Sequence, residues 1–212
     1  MAQSKELYDA ILNGDAKKAH AATEAALAAG AVPLQLISES MVQAMDEVGR
    51  LFEAEEYFVP ELLLAGRAMR SALEILRPLM TASGDKLSTR VVLGTVKGDL
   101  HDIGKNIVGS MLEGGGFEVI DLGSDVSPEK FVAAVEEQKP QIVCLSALLT
   151  VTMPAMKTTI DALKTAGLRT QVKVLIGGAP VTQQYANEIG ADGYSENAVG
   201  AVAMAKKAVA AP

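Results

Sequence analysis

Tryptophan is absent from this sequence of 212 residues, cysteine occurs once and histidine twice. A single cysteine, Cys144, excludes an internal disulfide and suits a reducing compartment. It lies within the apolar run QIVCLSA (141–147), where it reads as a buried, inert thiol. So few soft and imidazole ligands do not readily build a closed tetrahedral zinc site. Positive charge is also scarce: 19 Lys and Arg stand against 26 Asp and Glu, for a net charge of −7. Nucleic-acid binders need a basic stripe, so no nucleic-acid partner is expected. No run of about 18 apolar residues occurs, so no membrane span is expected. The opening MAQSKELYDAILNGD has no signal-peptide core, and with the lone cysteine it points to a cytoplasmic protein. Aromatics make up only 4 %, whereas apolar residues reach 49 % and methionine occurs nine times. That mixture suits closely packed, adaptable helices.

The pattern changes character near TASGDKLST (81–89). Before it, only helix signals occur. Residues 5–29 read as two short helices broken at Asn13-Gly14-Asp15. Pro33 fits a first helical turn, and Leu34, Ile37, Met41, Met45, Val48 and Phe52 follow at steps of three and four. A fourth helix from Pro60 carries Leu62, Ala65, Met69, Leu73, Leu76 and Met80 on one stripe. Such stripes predict a helical bundle. After the break, strands are expected at 90–96, 117–121, 141–146, 172–177 and 192–195. They alternate with helices at 104–114, 128–138, 154–166, 181–189 and 197–209. Alternation of this kind predicts a doubly wound parallel sheet of flavodoxin-like, Rossmann-like type. The reading is therefore a four-helix bundle at 1–84, a linker at 85–89 and an α/β domain at 90–212. The stretch 81–89, with its glycine and polar residues, is expected to act as a hinge.

In a sheet of this type ligands bind beyond the carboxyl ends of the strands. The loop after the first strand, GDLHDIGKN (98–106), holds one of the two histidines. It fails as a phosphate loop, because Gly98 and Gly104 are too far apart and Asn106 replaces the required hydroxyl. No G-x-G-x-x-G occurs either, although Asp121 ends the second strand where an acid could hold a ribose. A phosphoacceptor receiver would need an aspartate at the end of the third strand, where Ser146 stands. What remains is one histidine with a carboxylate two residues away. A carboxylate beside a metal-binding imidazole fixes its tautomer and raises its basicity. One protein ligand suffices only if the metal arrives in a macrocycle with its own equatorial donors. Taken alone, His101 also reads as a loop histidine capping the next helix. Asp102 reads as an acid near a positive helix end, His20 as a solvated helix residue, and the methionine stripes and Phe58 as bundle core.

The run D-L-H-D-I-G (99–104) resembles the D-x-H-x-x-G signature of the cobalamin-binding domain. SALLTVT (146–152) resembles its S-x-L-x-T element, and Gly177-Gly178 its downstream glycine pair. MDEVGRLFEAEEYFVPELLLAGRAM (45–69) resembles the cap module of the same family. Nearly the whole chain is covered. It is similar to the corrinoid proteins of methanol, methylamine and O-demethylase methyltransferase systems, and to the cap and cobalamin-binding domains of methionine synthase.

The resemblance implies a cobalamin or related cobamide bound base-off and His-on, with His101 as the cobalt ligand and Asp99 as its hydrogen-bond partner. Thr152 stands where the relay hydroxyl is often serine. Asp102, Ile103, Gly104, Ser146, Leu148, Thr150, Gly177 and Gly178 would line the cofactor cleft. Phe58 and Leu62 would cover the upper face of the corrin. The implied function is a methyl carrier that cycles between cob(I)amide and methyl-Co(III). It would be a corrinoid subunit and not a stand-alone enzyme. Its expected partners are a substrate-specific methyltransferase, a second methyltransferase acting on a tetrahydropterin or coenzyme M, and a reductive activase. The chain has no barrel-sized module of about 250 residues to bind a substrate itself. A cobamide-dependent sensor is the alternative reading, and a mutase subunit is disfavoured by the bundle cap.

Overall fold

The computed structural model describes residues 4–83 and 89–210. The expected linker at 85–89 falls, except for Thr89, outside the described residues, and so does most of the expected hinge. The chain forms two compact units, residues 1–88 with 113–117 and residues 89–112 with 118–212.

The first unit is helical. Helix α1 (Lys5–Leu12) starts at Ser4, whose hydroxyl accepts from the Leu7 N–H. Helix α2 (Ala16–Ala28) starts at Asp15, whose carboxylate accepts from the Lys18 N–H at 3.0 Å. These are the side chains that best satisfy the open donors of a first turn. Pro33 opens α3 (Pro33–Leu36), which runs through a π-helical turn (Ile37–Met41) into α4 (Val42–Glu53). Helix α5 (Val59–Ser83) completes the unit. The six stripe residues predicted on α5, from Leu62 to Met80, are all buried. On the preceding helix Ile37, Met41, Met45 and Val48 are buried, but Leu34 is 39 % exposed. Leu34 lies in the first turn of α3, directly after Pro33.

The second unit is α/β. Strands β1 (Arg90–Thr95), β2 (Glu118–Asp121), β3 (Ile142–Ser146), β4 (Lys173–Gly177) and β5 (Gly193–Ser195) form one sheet in the order β2-β1-β3-β4-β5. All pairings are parallel. The intervening helices are α6 (Ile103–Gly114), α7 (Pro128–Gln138), α8 (Pro154–Thr165), α9 (Gln183–Ile189) and α10 (Ala198–Ala210). Every predicted strand and helix of this half is present, within two residues at each end. The order is the flavodoxin-like one. Helices on both faces account for the near-continuous apolar strands. Val92, Val143, Leu145, Val174 and Ile176 bury one such layer with Phe131, Met156 and Ile160. Cys144 is buried in β3, and burial pushes its thiol pKa up to about 12.

Register then places the loops. Thr95 lies opposite Ser146, Ser146 opposite Gly177, and Gly177 opposite Ser195. The loops that follow these residues therefore leave the sheet in one row, at the carboxyl edge where open α/β sheets bind ligands.

Candidate functional site

The site is built on the loop between β1 and α6. The Asp99 side chain is fully buried, while the His101 side chain is half exposed. His101 Nδ1 lies 2.6 Å from Asp99 Oδ1, and the same oxygen accepts the His101 backbone N–H at 3.1 Å. The other oxygen, Oδ2, is held from the β3–α8 loop. It accepts the Leu148 N–H at 2.8 Å, the Leu149 N–H at 3.3 Å and the Thr152 hydroxyl at 2.7 Å. Thr152 Oγ1 also lies 2.8 Å from the Leu149 carbonyl. Its single proton goes to the charged acceptor, which makes the stronger bond.

This arrangement sets both protonation and tautomer. Burial alone would raise the Asp99 pKa. The hydrogen bonds from Thr152, the Leu148 N–H, the His101 ring and the His101 N–H outweigh it and hold the carboxyl well below the usual range. An ionised carboxylate has no proton to donate, so His101 carries its own on Nδ1. In the neutral imidazole Nε2 then keeps its lone pair and is available as a donor.

Asp99→Asn tests that account. Whichever way the amide turns, its NH₂ faces donors. Each buried donor left unpaired is worth about 1–3 kcal/mol, so the variant is expected to unfold at lower urea. Because the folded-state pKa is depressed, the stability that ionised Asp99 contributes is complete above its unfolded value of about 3.9. It is lost as pH falls toward the folded value. The gap between wild type and variant should therefore narrow below about pH 4. A gap that stays constant from neutral pH to pH 3 would refute the carboxylate's role.

The surroundings are unusual for a solvated loop. Leu100 and Ile103, flanking His101, are 73 % and 76 % exposed, and Val151 is 81 % exposed. Leu148 and Leu149, whose N–H groups hold Asp99, are also exposed. A clustered apolar collar at a strand-end loop marks a surface that something apolar covers. Among the described residues no three His, Cys, Asp or Glu side chains come together as a metal site. A metal held through His101 must therefore bring its other donors with it. One imidazole with a free Nε2, a buried orienting carboxylate and a broad apolar collar fit a metal macrocycle.

The remaining sequence-predicted residues divide into groups. Ser146 ends β3, where its carbonyl accepts the Val96 N–H at 3.0 Å. Thr150 is exposed in the same loop as Leu148. Asp102 is exposed just before α6, and its carbonyl accepts the Asn106 N–H. Gly104 lies in the first turn of α6 with open space where a Cβ would be. Gly177 and Gly178 end β4, and Gly178 has φ +127°. Phe58 is 61 % exposed on the helical unit. Leu62, expected to share its covering role, is only 2 % exposed because it lies on the buried stripe of α5. The exposed apolar neighbours of Phe58 are Val59, Leu63 and Leu64. Asp121, weighed in the sequence as a ribose holder, instead pairs with the buried Lys105 ammonium. Sequence reasoning missed Thr95 and Asp125, which bond to the backbone of the site loop. Their spacing from the motif carries no signal.

Residues 89–203 match the family model of a B12 binding domain, and residues 3–77 match a second model of the same description. The trimethylamine corrinoid protein of Methanosarcina barkeri is 46 % identical over 215 residues, covering 99 % of both chains. A crystal structure of a cobalamin-binding protein from Desulfitobacterium hafniense shares 37 % identity and a TM-score of 0.79, over 98 % of this chain and 99 % of that one. The methanol:cobalamin methyltransferase complex from Methanosarcina barkeri contains a chain with 32 % identity and a TM-score of 0.88, over 99 % of this chain and 80 % of that one.

Proposed function

The chain belongs to the B12-binding-domain family, and on that premise we propose that it is a methyl carrier serving a methylated-amine methyltransferase. The observation that carries the reading is the His101 imidazole, locked by the buried Asp99 so that Nε2 is left to ligate. When bound, the cobamide supplies a cobalt centre able to accept a methyl group and give it up again. His101 would hold that cobalt through Nε2. Asp99 would keep the imidazole in one tautomer and one direction, and Thr152 would hold Asp99. Leu100, Ile103, Leu148 and Val151 would exclude water from the corrin edge. Gly104 would admit the cofactor tail beside the first turn of α6, where there is space for it.

Relatives named for trimethylamine and dimethylamine are 44–46 % identical to the chain over most of its length, which supports the amine class of donor. A methyltransferase of that class would load the chain. A second one would unload it to a tetrahydropterin or coenzyme M, and a reductive activase would restore it after oxidation. The test is to load the protein with a cobamide without oxygen, desalt it, reduce the cobalt to Co(I) with a low-potential chemical reductant, and add an amine methyltransferase with isotopically labelled methylamines. Label retained on the protein is expected. A coloured, cobamide-loaded protein that takes label from none of the amines would overturn the donor class.

A further inference from the structure

We propose that Thr95 and Asp125 are positioning residues that set the direction of the His101 imidazole, a role that rests on His101 being the axial ligand. Asp99 holds the imidazole, but something must hold the backbone that carries both. The β1–α6 loop is pinned at three points by groups outside its motif. The Gly98 N–H donates to Asp125 Oδ1 at 2.8 Å. The Asp99 carbonyl accepts the Asp125 N–H at 2.9 Å. The His101 carbonyl accepts the Thr95 hydroxyl at 2.9 Å.

The two residues also belong to one interlock. Thr95 is fully buried at the end of β1. Its N–H donates to the Gly123 carbonyl at 3.0 Å, and its carbonyl accepts the Val126 N–H at 3.0 Å. Both partners flank Asp125 in the β2–α7 loop, and Lys97 Nζ lies 3.0 Å from Asp125 Oδ1. Asp125 itself has φ +52°, and Gly98 and Gly123 have φ +84° and +86°. The two glycines adopt such angles freely, but Asp125 does not, and its left-handed backbone persists only where the surroundings over-determine it. The edge strand's loop therefore fixes the ligand loop from one side, as the β3–α8 loop fixes the Asp99 side chain from the other.

The test uses the full chain loaded with cobalamin and reduced to the Co(II) state. With ¹⁵N-labelled histidine, an axial imidazole shows as a doublet in the paramagnetic resonance spectrum, and any other axial nitrogen as a triplet. Thr95→Val keeps the shape and removes the hydroxyl, and Asp125→Ala removes the acceptor. Thr95→Val is expected to lower the ratio of His-bound to His-free cobalt by about fivefold, the effect of one lost neutral hydrogen bond, and Asp125→Ala by about tenfold or more, because the acceptor it removes is charged. Thr95→Ser and Asp125→Asn are expected to restore it, since Asn tolerates the left-handed region and keeps an acceptor oxygen. Generic loss of stability would not follow that pattern of rescue. Should Asp125→Ala fail to fold, the Thr95 pair decides alone. A wild-type ratio in Thr95→Val overturns the proposal. Absence of a doublet in the wild type overturns the axial-ligand reading, and this proposal with it.

Discussion

The His101→Ala protein, offered a cobamide without oxygen and desalted, is expected to lose most of the cofactor that the wild type keeps. Any remainder should show no spectral sign of an imidazole on cobalt. The expectation follows from how little else the described residues offer a metal, since no second ligand cluster exists among them. Folding should survive the change. The ring is half exposed and, among the described residues, it bonds to Asp99. The unfolding free energy from urea titration should therefore fall by no more than about 1.5–3 kcal/mol, the typical net worth of one hydrogen bond to a charged group. Asp99 would still accept the Leu148 and Leu149 N–H groups and the Thr152 hydroxyl. Free imidazole, small enough to enter the space left by the side chain, should restore part of the axial signal. Full retention with an unchanged spectrum in His101→Ala would remove His101 from the site.

Gly178→Ala is the change expected to injure the fold most. A Cβ there would lie 1.8 Å from the Ala147 carbonyl oxygen and 2.9 Å from its carbonyl carbon, and the backbone sits at φ +127°. No rotamer relieves a clash with main chain, so β3 and β4 would have to part just past their last paired residues. Strain at such an angle and forced overpacking each run to about 1–3 kcal/mol, so a loss of about 3 kcal/mol or more is expected. The damage would reach the site, because Leu148 follows Ala147 and donates its N–H to Asp99. Gly104→Ala is the control. It meets nothing within 4 Å and lies in a helix, where Ala is favoured by about 0.5–1 kcal/mol. Stability should hold or rise, while cobamide retention should fall if that space admits the cofactor. Equal urea midpoints for Gly178→Ala and wild type would show that the two strand ends are not in contact as described.

Much of this was legible in the sequence for physical reasons. The strands are buried on both faces, so they stand out as unbroken apolar runs, and Ser127-Pro128-Glu129 marks the start of α7 as expected. The Asp99–His101 pair was legible because a two-residue spacing in one loop brings acid and imidazole together locally. The residues that steady the pair were not. Leu148 and Leu149 act through backbone N–H groups, which leave no trace in residue type. Thr95 looked like an ordinary strand residue, and Asp125 lies 26 positions beyond the acid whose carbonyl it binds.

A methyl group activated for transfer is an alkylating agent, and a thiolate is among its best acceptors. The chain's lone sulfhydryl sits midway along the central strand, which leads to the loop that holds Asp99. Held in protonated form to about pH 12 by its apolar surroundings, it is a poor nucleophile throughout the physiological range. If the chain carries methyl groups as proposed, this placement would keep it from alkylating its own sulfur.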